Sequence, residues 1–360
     1  MFRMLSTCEV TLGSCDSLIQ YTTLFTKTQK ARLMSVNWPE FKNIIEAHQK
    51  ILLTSHIRPD CDALGSELGM AGVLDALGKE VCIVNGQRTP PNLAFIDPEQ
   101  RIKTIHEDIS PEDLNDIELL VILDTSAWAQ LGPMGDVVRK TSAKKIVFDH
   151  HVSEDDLGAE PFKNTSAEAT GRLVVEAAKC LDVALTPEIA TSLYAAVATD
   201  TGWFRFNSTS STTMRVGAEL IEAGAVPASI YANLYEQDTL GRVKLRGRIQ
   251  ERFTTELDGR LAHTFVRAAD FDATGSLPTD TEDVINIGLS VLGTEVAVIL
   301  VEQATGGFKV SFRSRSEVDC SQLAERFGGG GHKAAAGAFV SEPFEQAQSL
   351  VLDAVRVEMQ

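Results

Sequence analysis

The sequence predicts an α/β protein that begins with a doubly wound parallel sheet and continues into a smaller C-terminal α/β domain. Between residues 37 and 165, short apolar runs alternate with helical patterns, which is typical of strands that are covered by helices on both faces. After Asp258 and Gly259 the chain becomes rich in strand patterns. With 360 residues, of which 44% are apolar, the chain is long enough for two globular domains.

The N-terminal elements follow one another in a regular order. Asn37 is placed to cap a helix over residues 37–50, and Pro39 lies in the first turn of that helix. A second helical pattern covers residues 63–77 and ends before Gly78. Apolar runs predict buried strands at residues 51–55, 81–84, 118–123 and 145–148.

The rest of the chain divides into a helical stretch, a connector and a second domain. Residues 166–234 have a mostly helical pattern, and residues 242–257 form a charged helix that suits a connector. Strands at residues 261–266, 296–301 and 308–312, a Gly-rich turn at 328–331 and a helix at 345–357 follow. We therefore expect a disordered extension at 1–33, a first domain at 34–235, a linker helix at 236–258 and a second domain at 259–360.

Composition excludes several classes of protein. The chain carries 33 basic and 50 acidic residues, and a formal net charge of −17 disfavours sequence-independent coating of long DNA or RNA. No stretch reaches the ~20 apolar residues of a membrane span, and residues 1–33 lack the apolar segment of a secretory signal. The six cysteines form no CxxC pair, which is typical of a reducing compartment. We expect a cytoplasmic protein without a membrane partner. Whether the chain forms a homodimer is left open.

Acidic and histidine residues follow three of these apolar runs, at 51–55, 118–123 and 145–148, and a further run at 195–199. The carboxyl ends of parallel strands are where open α/β sheets bind ligands, so these residues are candidates for a site. Taken singly, each has a plainer interpretation: an Asp at such a position can simply cap the next helix or turn. Four such clusters in one chain favour a site over four separate caps. The clusters are His56 with Asp60 and Asp62, then Asp124, then Asp149 with His150 and His151, and finally Asp200.

The residue types indicate a metal site. One catalytic ion with open positions needs fewer than the six candidate ligands present, whereas two ions ~3.5–4 Å apart, bridged by a shared carboxylate, would use them all. Such sites perform in-line displacement at phosphorus. A set of imidazoles and carboxylates without thiolates suits Mn(II), with Mg(II) or Fe(II) as alternatives. The six are His56, Asp60, Asp62, Asp124, His150 and Asp200.

In their order and spacing, the four clusters resemble the motifs of the DHH phosphoesterase family. The stretch at 311–314, followed by the Gly-rich segment at 327–332, resembles the DHH-associated substrate-binding domain. The resemblance covers about residues 37–355 and is nearest to the nano-RNase and pAp-phosphatase branch. It implies that the active site lies in a cleft between the two domains.

The resemblance also implies a role for each residue. Asp124 would bridge two ions, and Asp149 would orient a ligating imidazole. His151 would contact the scissile phosphate or protonate the leaving oxygen. Residues 152–156 are more acidic than the family pattern, which leaves substrate contacts near this loop open. One ion would be held by His56, Asp60 and Asp124, and the other by Asp62, Asp124, His150 and Asp200.

The Gly-rich segment is the candidate for substrate binding in the second domain. Residues 306–337 carry a net charge of +2 within a strongly acidic chain. Glycines let the backbone approach an anion, whose oxygens the N–H groups can then surround. Arg313 is the best candidate for a bidentate phosphate clamp, whereas Arg315 can be a plain surface charge and the glycines a plain turn. The candidate set is Ser311, Arg313, Gly329, Gly330, Gly331 and His332.

Together these features predict an enzyme of the hydrolase class. The expected substrates are very short RNA oligonucleotides, degraded to mononucleotides, and 3′-phosphoadenosine 5′-phosphate (pAp), converted to AMP. A cyclic dinucleotide phosphodiesterase or a longer single-strand exonuclease is the alternative within the superfamily. A non-catalytic nucleotide-binding regulator is the alternative outside the enzymes, but every expected metal ligand is present.

Overall fold

The computed structural model describes residues 36–152 and 154–360 and confirms the predicted fold class. The expected extension at 1–33 lies outside the described residues. The chain forms two compact units, of which the first ends at Glu236 and the second spans Gln237–Gln360. The boundaries expected from the sequence stay predictions.

The first unit contains a six-stranded sheet in the order β3-β2-β1-β4-β5-β6, in which every pair is parallel. The chain leaves β1 towards β2 and β3 and then returns to the other side of β1 with β4. The carboxyl ends of β1 and β4 therefore flank the point where the strand order reverses, which is where open sheets bind ligands. The strands are β1 (Lys50–Thr54), β2 (Glu80–Asn85), β3 (Ile102–Thr104), β4 (Leu119–Leu123), β5 (Lys144–Asp149) and β6 (Glu160–Lys163).

Helices cover both faces of this sheet. Ile51 and Leu53 pack in one apolar core with helices α1, α2, α5 and α6, whereas Leu52 packs in a second core with α4, because successive side chains of a strand point to opposite faces. The helices are α1 (Trp38–Ala47), α2 (Cys61–Ala76), α3 (Trp128–Leu131), α4 (Met134–Lys140), α5 (Thr170–Cys180), α6 (Pro187–Asp200), α7 (Ser211–Glu222) and α8 (Pro227–Tyr235).

Two helices of the first unit pack unusually close together. Gly65 and Gly69 lie on one face of α2, and a Cβ atom at Gly65 would lie 2.4 Å from the carbonyl oxygen of Ser192 on α6. The absence of side chains at these positions lets the two helix backbones approach. The close packing brings the first turn of α2, which contains Asp62, near Asp200 at the end of α6.

The second unit contains a six-stranded mixed sheet in the order β11-β12-β10-β9-β8-β7. One face packs on α12 and α13 and the other, over β8 and β9, on α9 and α11. Its elements are α9 (Leu240–Glu251), β7 (Thr254–Glu256), β8 (Leu261–Val266), α10 (Ala268–Thr274), α11 (Ile285–Ser290), β9 (Val296–Glu302), β10 (Phe308–Ser314), α12 (Cys320–Glu325), β11 (Gly330–His332), β12 (Ala335–Val340) and α13 (Phe344–Glu358).

Several element boundaries differ from the sequence predictions. Helix α1 ends at Ala47, because His48 is already extended. The charged helix predicted to reach residue 257 ends at Glu251, and its Leu245 and Ile249 are buried in the second unit. The predicted turn at 328–331 contains the start of edge strand β11. Among the described helices, none combines the length and the apolar composition needed to cross a bilayer.

Candidate active site

The structure brings the six candidate metal ligands of the first unit together. Their positions follow from the sheet: His56 comes after β1, Asp124 after β4 and His150 after β5, and these three strands are neighbours. Asp60 and Asp62 enter from the start of α2, and Asp200 is the last residue of α6.

The distances divide the cluster into two groups that meet at Asp124. His56 Nε2 lies 3.5 Å from Asp124 Oδ2 and 4.0 Å from Asp60 Oδ1. His150 Nε2 lies 3.5 Å from Asp124 Oδ1, 3.6 Å from Asp200 Oδ2 and 3.8 Å from Asp62 Oδ2. Each carboxylate oxygen of Asp124 therefore faces one group.

The backbone at Asp124 explains this arrangement. Its φ of 62° lies in the left-handed region, which non-glycine residues adopt infrequently. Its N–H still donates to Phe148 O at 2.8 Å, so the residue extends the pairing of β4 with β5 before the chain turns. Asp124 is 2% exposed, and this turn directs its carboxylate into the cluster.

The electrostatics of the cluster fit bound cations. Asp62 is 1% exposed, and burial raises its pKa. Burial and the neighbouring Asp62 raise the pKa of Asp124 well above its usual value, and the same two causes raise the pKa of Asp200 to about 6. Buried carboxylates this close repel one another unless a cation lies between them. A divalent ion supplies that charge, so the residues fit a metal site.

The N-terminus of helix α5 fixes two of these carboxylates. The backbone N–H of Thr170 donates to Asp62 Oδ2 at 2.7 Å, and that of Gly171 donates to Asp62 Oδ1 at 2.8 Å. Thr170 Oγ1 also donates to Asp124 Oδ1 at 2.8 Å. A helix N-terminus presents free N–H groups and a partial positive charge, both of which favour a carboxylate.

Asp60 has the capping role that the plainer sequence interpretation gave it. Its Oδ1 accepts hydrogen bonds from the backbone N–H groups of Asp62 and Ala63, so it caps α2. The same atom lies in the group formed with His56 and Asp124. Capping and membership of the cluster are therefore compatible.

The two histidines lie side by side. Their ring centroids are 4.5 Å apart, because β5 ends at Asp149 and strand alternation does not extend to residues 150 and 151. Strand alternation would point two successive side chains to opposite sides, but the rings of His150 and His151 both lie near Asp124 Oδ1. His151 is half exposed, and its Nδ1 lies 2.8 Å from Asp149 Oδ1 and 3.8 Å from Asp124 Oδ1.

Asp149 is fully buried and accepts hydrogen bonds on both oxygens. Oδ1 accepts from the backbone N–H of His151 at 3.0 Å, and Oδ2 accepts from Ser126 Oγ. Burial acts to raise the pKa of Asp149, but the bonds from His151 and Ser126 and the charge of Lys163 lower it below the usual value. The bond to Asp149 in turn raises the pKa of His151.

The acidic loop after His151 is engaged in local contacts. Asp155 Oδ2 accepts from the backbone N–H of Trp128, and Asp156 O accepts from the indole N–H of the same residue. Glu154 forms an ion pair with Lys163 at 3.3 Å. The described part of this loop thus contacts the first residue of α3 and the last residue of β6.

Sequence reasoning missed the residues that support the cluster. Ser66, Thr170 and Gly171 bond the Asp62 carboxylate, and Ser126 and Lys163 contact Asp149. The one local signal is the start of a helical pattern at Thr170, which marks free N–H groups but not their partner. Thr170 and Asp62 are separated by 108 positions in the chain, so only the fold reveals the contact.

In the second unit, the predicted substrate-binding residues share one sheet face. Arg313 and His332 both pair with Ala335, and Ser311 and Gly330 both pair with Gly337, so their side-chain positions face the same side. The alternate residues Phe312, Ala336 and Ala338 are buried on the opposite face. Gly329 lies so near β12 that a Cβ atom would approach Gly337 O to 2.2 Å, and Gly331 has a φ of 151°.

Comparisons with known proteins identify both units. Residues 50–197 match the N-terminal domain of the DHH family, and residues 271–359 match the DHHA1 domain. A curated bifunctional oligoribonuclease and PAP phosphatase from Thermus thermophilus is 32% identical, over 86% of this chain and 90% of the relative. A protein of the same description from Bacillus subtilis is 26% identical, over 87% of this chain and 96% of the relative.

A solved structure supports the same conclusion. The crystal structure of an exopolyphosphatase-related protein from Bacteroides fragilis superimposes with a TM-score of 0.79 and 25% sequence identity, over 89% of this chain and 95% of the other. The relatives match over most of their length, and the two domains follow one another in the order that the sequence resemblance implies. The chain belongs to the DHH phosphoesterase family and carries a DHHA1 domain after its DHH domain.

Proposed function

We propose that this chain is a metal-dependent phosphoesterase that hydrolyses very short RNA oligonucleotides to mononucleotides and pAp to AMP. The observation that carries the proposal is the buried cluster in which four separate sequence motifs meet around Asp124. Membership of the family and the names of the relatives, which match over nearly their whole length, support the substrate class. An intact ligand set argues against a non-catalytic regulator.

The donor set supports two divalent ions, Mn(II) by preference and Mg(II) or Fe(II) as alternatives. His56, Asp60 and Asp124 would hold one ion, and Asp62, Asp124, His150 and Asp200 the other. Such ions polarise a phosphoryl oxygen and activate water for in-line attack. Thr170 and Gly171 hold the carboxylates in place for them.

The remaining residues would bind and orient the substrate. His151, whose side chain is 48% exposed, is assigned to the scissile phosphate or the leaving oxygen, and Asp149 orients its ring. Arg313, with Ser311, would bind a second phosphate, and the backbone of Gly329, Gly330 and Gly331 with His332 would complete that subsite. A short substrate with two phosphates, such as a 5′-phosphorylated dinucleotide or pAp, would use both positions.

The cysteines of the described residues fit a reducing compartment. Cys61, Cys82, Cys180 and Cys320 are all free thiols among the described residues. Proteins that work in the cytoplasm keep their cysteines in this form. We therefore assign the chain to the cytoplasm as part of the same proposal.

Turnover of defined substrates tests the proposal. The full chain with Mn(II) should be assayed on RNAs of two to twenty-four nucleotides, on pAp and on cyclic di-AMP, with Asp124→Ala as the inactive control. We expect kcat/KM to be highest for two or three nucleotides and to fall with length, and pAp to be hydrolysed. Preference for the longest RNA would indicate an exonuclease, and exclusive use of cyclic di-AMP a cyclic dinucleotide phosphodiesterase. Either result contradicts the proposal.

A further inference from the structure

A nearly buried lysine contacts Asp149, the residue that bonds His151. Lys163 is the last residue of edge strand β6 and pairs in register with Asp149 at the end of β5. Its side chain is only 8% exposed. A buried ammonium group is destabilising unless it is paired and hydrogen-bonded, so its partners indicate why it is there.

Lys163 contacts one oxygen of Asp149 directly. Its Nζ lies 3.1 Å from Asp149 Oδ2 and donates to Ser126 Oγ at 2.9 Å, while the hydroxyl of Ser126 donates to the same Oδ2. Glu154, which is exposed, also lies 3.3 Å from Nζ. The lysine and the serine therefore both contact Oδ2, whereas His151 bonds Oδ1.

The other oxygen of Asp149 is then free to orient His151. Oδ1 accepts from the backbone N–H of His151 at 3.0 Å and from its ring Nδ1 at 2.8 Å. Because Asp149 is an acceptor, Nδ1 of His151 must carry a proton. The second ring nitrogen, Nε2, is left for a group outside the protein, and the ring is half exposed.

We propose that Lys163 is a positioning residue for His151: by holding Asp149 through Oδ2, it fixes the ring orientation and the tautomer that present Nε2 to the substrate. The inference rests on the function proposed above, in which His151 contacts the scissile phosphate or the leaving oxygen. It adds a residue outside the six candidate metal ligands, which contacts Asp149. Outer partners of this kind typically change activity by about 10- to 100-fold when removed.

A double-mutant cycle tests the inference. Wild type, Lys163→Met, His151→Ala and the double variant should be assayed with Mn(II) on a two-nucleotide RNA and on bis-p-nitrophenyl phosphate. We expect Lys163→Met to lower kcat about 10- to 100-fold with KM and bound metal unchanged. In the His151→Ala background, the same change should lower kcat by less than about twofold, because residues that act as a unit are not additive.

A matched control exists on the same pair of strands. Lys144 is at the start of β5 and forms an ion pair with Glu160 at 2.6 Å, at the opposite end of the strands from the cluster. Lys144→Met removes the same charge and should leave kcat within about twofold of wild type. If the melting temperature of Lys163→Met is much lower than that of wild type, Ser126→Ala serves as a second variant. It removes the uncharged hydrogen-bond donor to Asp149 Oδ2.

The outcomes separate this inference from the proposed function. Equal losses from Lys163→Met with and without His151, or loss of bound metal, would show that the lysine acts elsewhere and overturn the inference. Wild-type kcat in Lys163→Met would overturn it as well. If the wild type cleaves bis-p-nitrophenyl phosphate but neither RNA nor pAp, the proposed function fails. The coupling between Lys163 and His151 can then still be measured with bis-p-nitrophenyl phosphate.

Discussion

At the scale of single residues, Asp124 determines the geometry of the cluster. Its two oxygens face His56 and His150, each at 3.5 Å. A left-handed backbone and a hydrogen bond from Thr170 set this orientation, and burial raises its pKa. A residue in this position can serve both ions only as a carboxylate, because an amide offers one oxygen and no charge.

We expect Asp124→Ala to abolish turnover while the chain remains folded. The change removes a ligand from both proposed ions and also relieves the repulsion among buried carboxylates, so the melting temperature without metal should not fall. Steady-state kinetics with Mn(II) and thermal unfolding check this. Asp136→Ala, on the exposed surface of α4, is the control. Retention of more than about a tenth of wild-type activity would contradict the two-ion assignment.

At the scale of elements, the N-terminus of α5 organises carboxylates from two other elements. It bonds Asp62 on α2 through two backbone N–H groups and Asp124 after β4 through the Thr170 hydroxyl. A second polar contact joins β1, β2 and α2 behind the cluster. Asn85 Oδ1 accepts from the backbone N–H of Ser55, and Asn85 Nδ2 donates to the buried Glu67 at 2.8 Å.

Thr170→Val should weaken metal binding without unfolding α5. Valine has a similar shape and keeps the backbone N–H that bonds Asp62, but it lacks the hydroxyl that holds Asp124. We expect Mn(II) affinity, measured by calorimetric titration, to fall about 10- to 100-fold. Thr191→Val, at a half-buried hydroxyl on α6 that bonds Pro187 O, is the control. An unchanged affinity would mean that Asp124 is held by its backbone alone.

Glu67 should make stability depend on pH. Burial raises its pKa to about 8 from an ordinary value of 4.5. Between these two values the folded state binds more protons than the unfolded state, so the free energy of unfolding falls as pH rises from about 4.5 to about 8. Glu67→Gln removes this contribution, so the variant should gain stability relative to wild type at about pH 9 and not at about pH 4.

Urea unfolding of both proteins at the two pH values measures the difference. Glu46→Gln, an exposed change on α1, is the control and should follow the wild type at both. A pH-independent difference between Glu67→Gln and wild type would show that Glu67 is not protonated in the folded state.

At the scale of the whole molecule, the candidate metal ligands and the candidate phosphate-binding residues belong to different units. The candidate metal ligands lie in the unit that ends at Glu236, and the Gly-rich segment lies in the unit that spans Gln237–Gln360. On the proposed function, one substrate phosphate is cleaved with residues of the first unit while another binds residues of the second. Substrates with one phosphate should therefore behave differently from substrates with two.

Arg313→Ala tests whether the second unit binds a second substrate phosphate. The change removes a charge-assisted hydrogen bond worth ~1.5–3 kcal/mol, so kcat/KM should fall ~10- to 150-fold for a 5′-phosphorylated two-nucleotide RNA and for pAp. The loss should be small for bis-p-nitrophenyl phosphate, which carries only the scissile group. Arg315→Ala, on the neighbouring exposed position, is the control. Equal losses on all substrates would show instead that Arg313 supports the fold of the second sheet.

The fold class and the candidate ligands can be predicted from local sequence patterns. Strand β4 (LLVIL) is a continuous apolar run and β5 (KKIVFD) contains a shorter one. Asp124 and His150 follow these strands directly, so both candidate ligands are visible in the local sequence. The short or edge strands, including β3, β6 and β11, were not predicted, because they carry few buried residues and their partners decide their conformation.

The contacts that hold the ligands depend on how the chain packs. The strand order makes β1 and β4 neighbours, and no local pattern encodes it. The contacts of Thr170 with Asp62, of Lys163 with Asp149 and of Asn85 with Glu67 join residues that are 108, 14 and 18 positions apart. Hydrophobic periodicity records which face of an element is buried, but a polar side chain acquires its partner, and hence its pKa, only when the chain has packed.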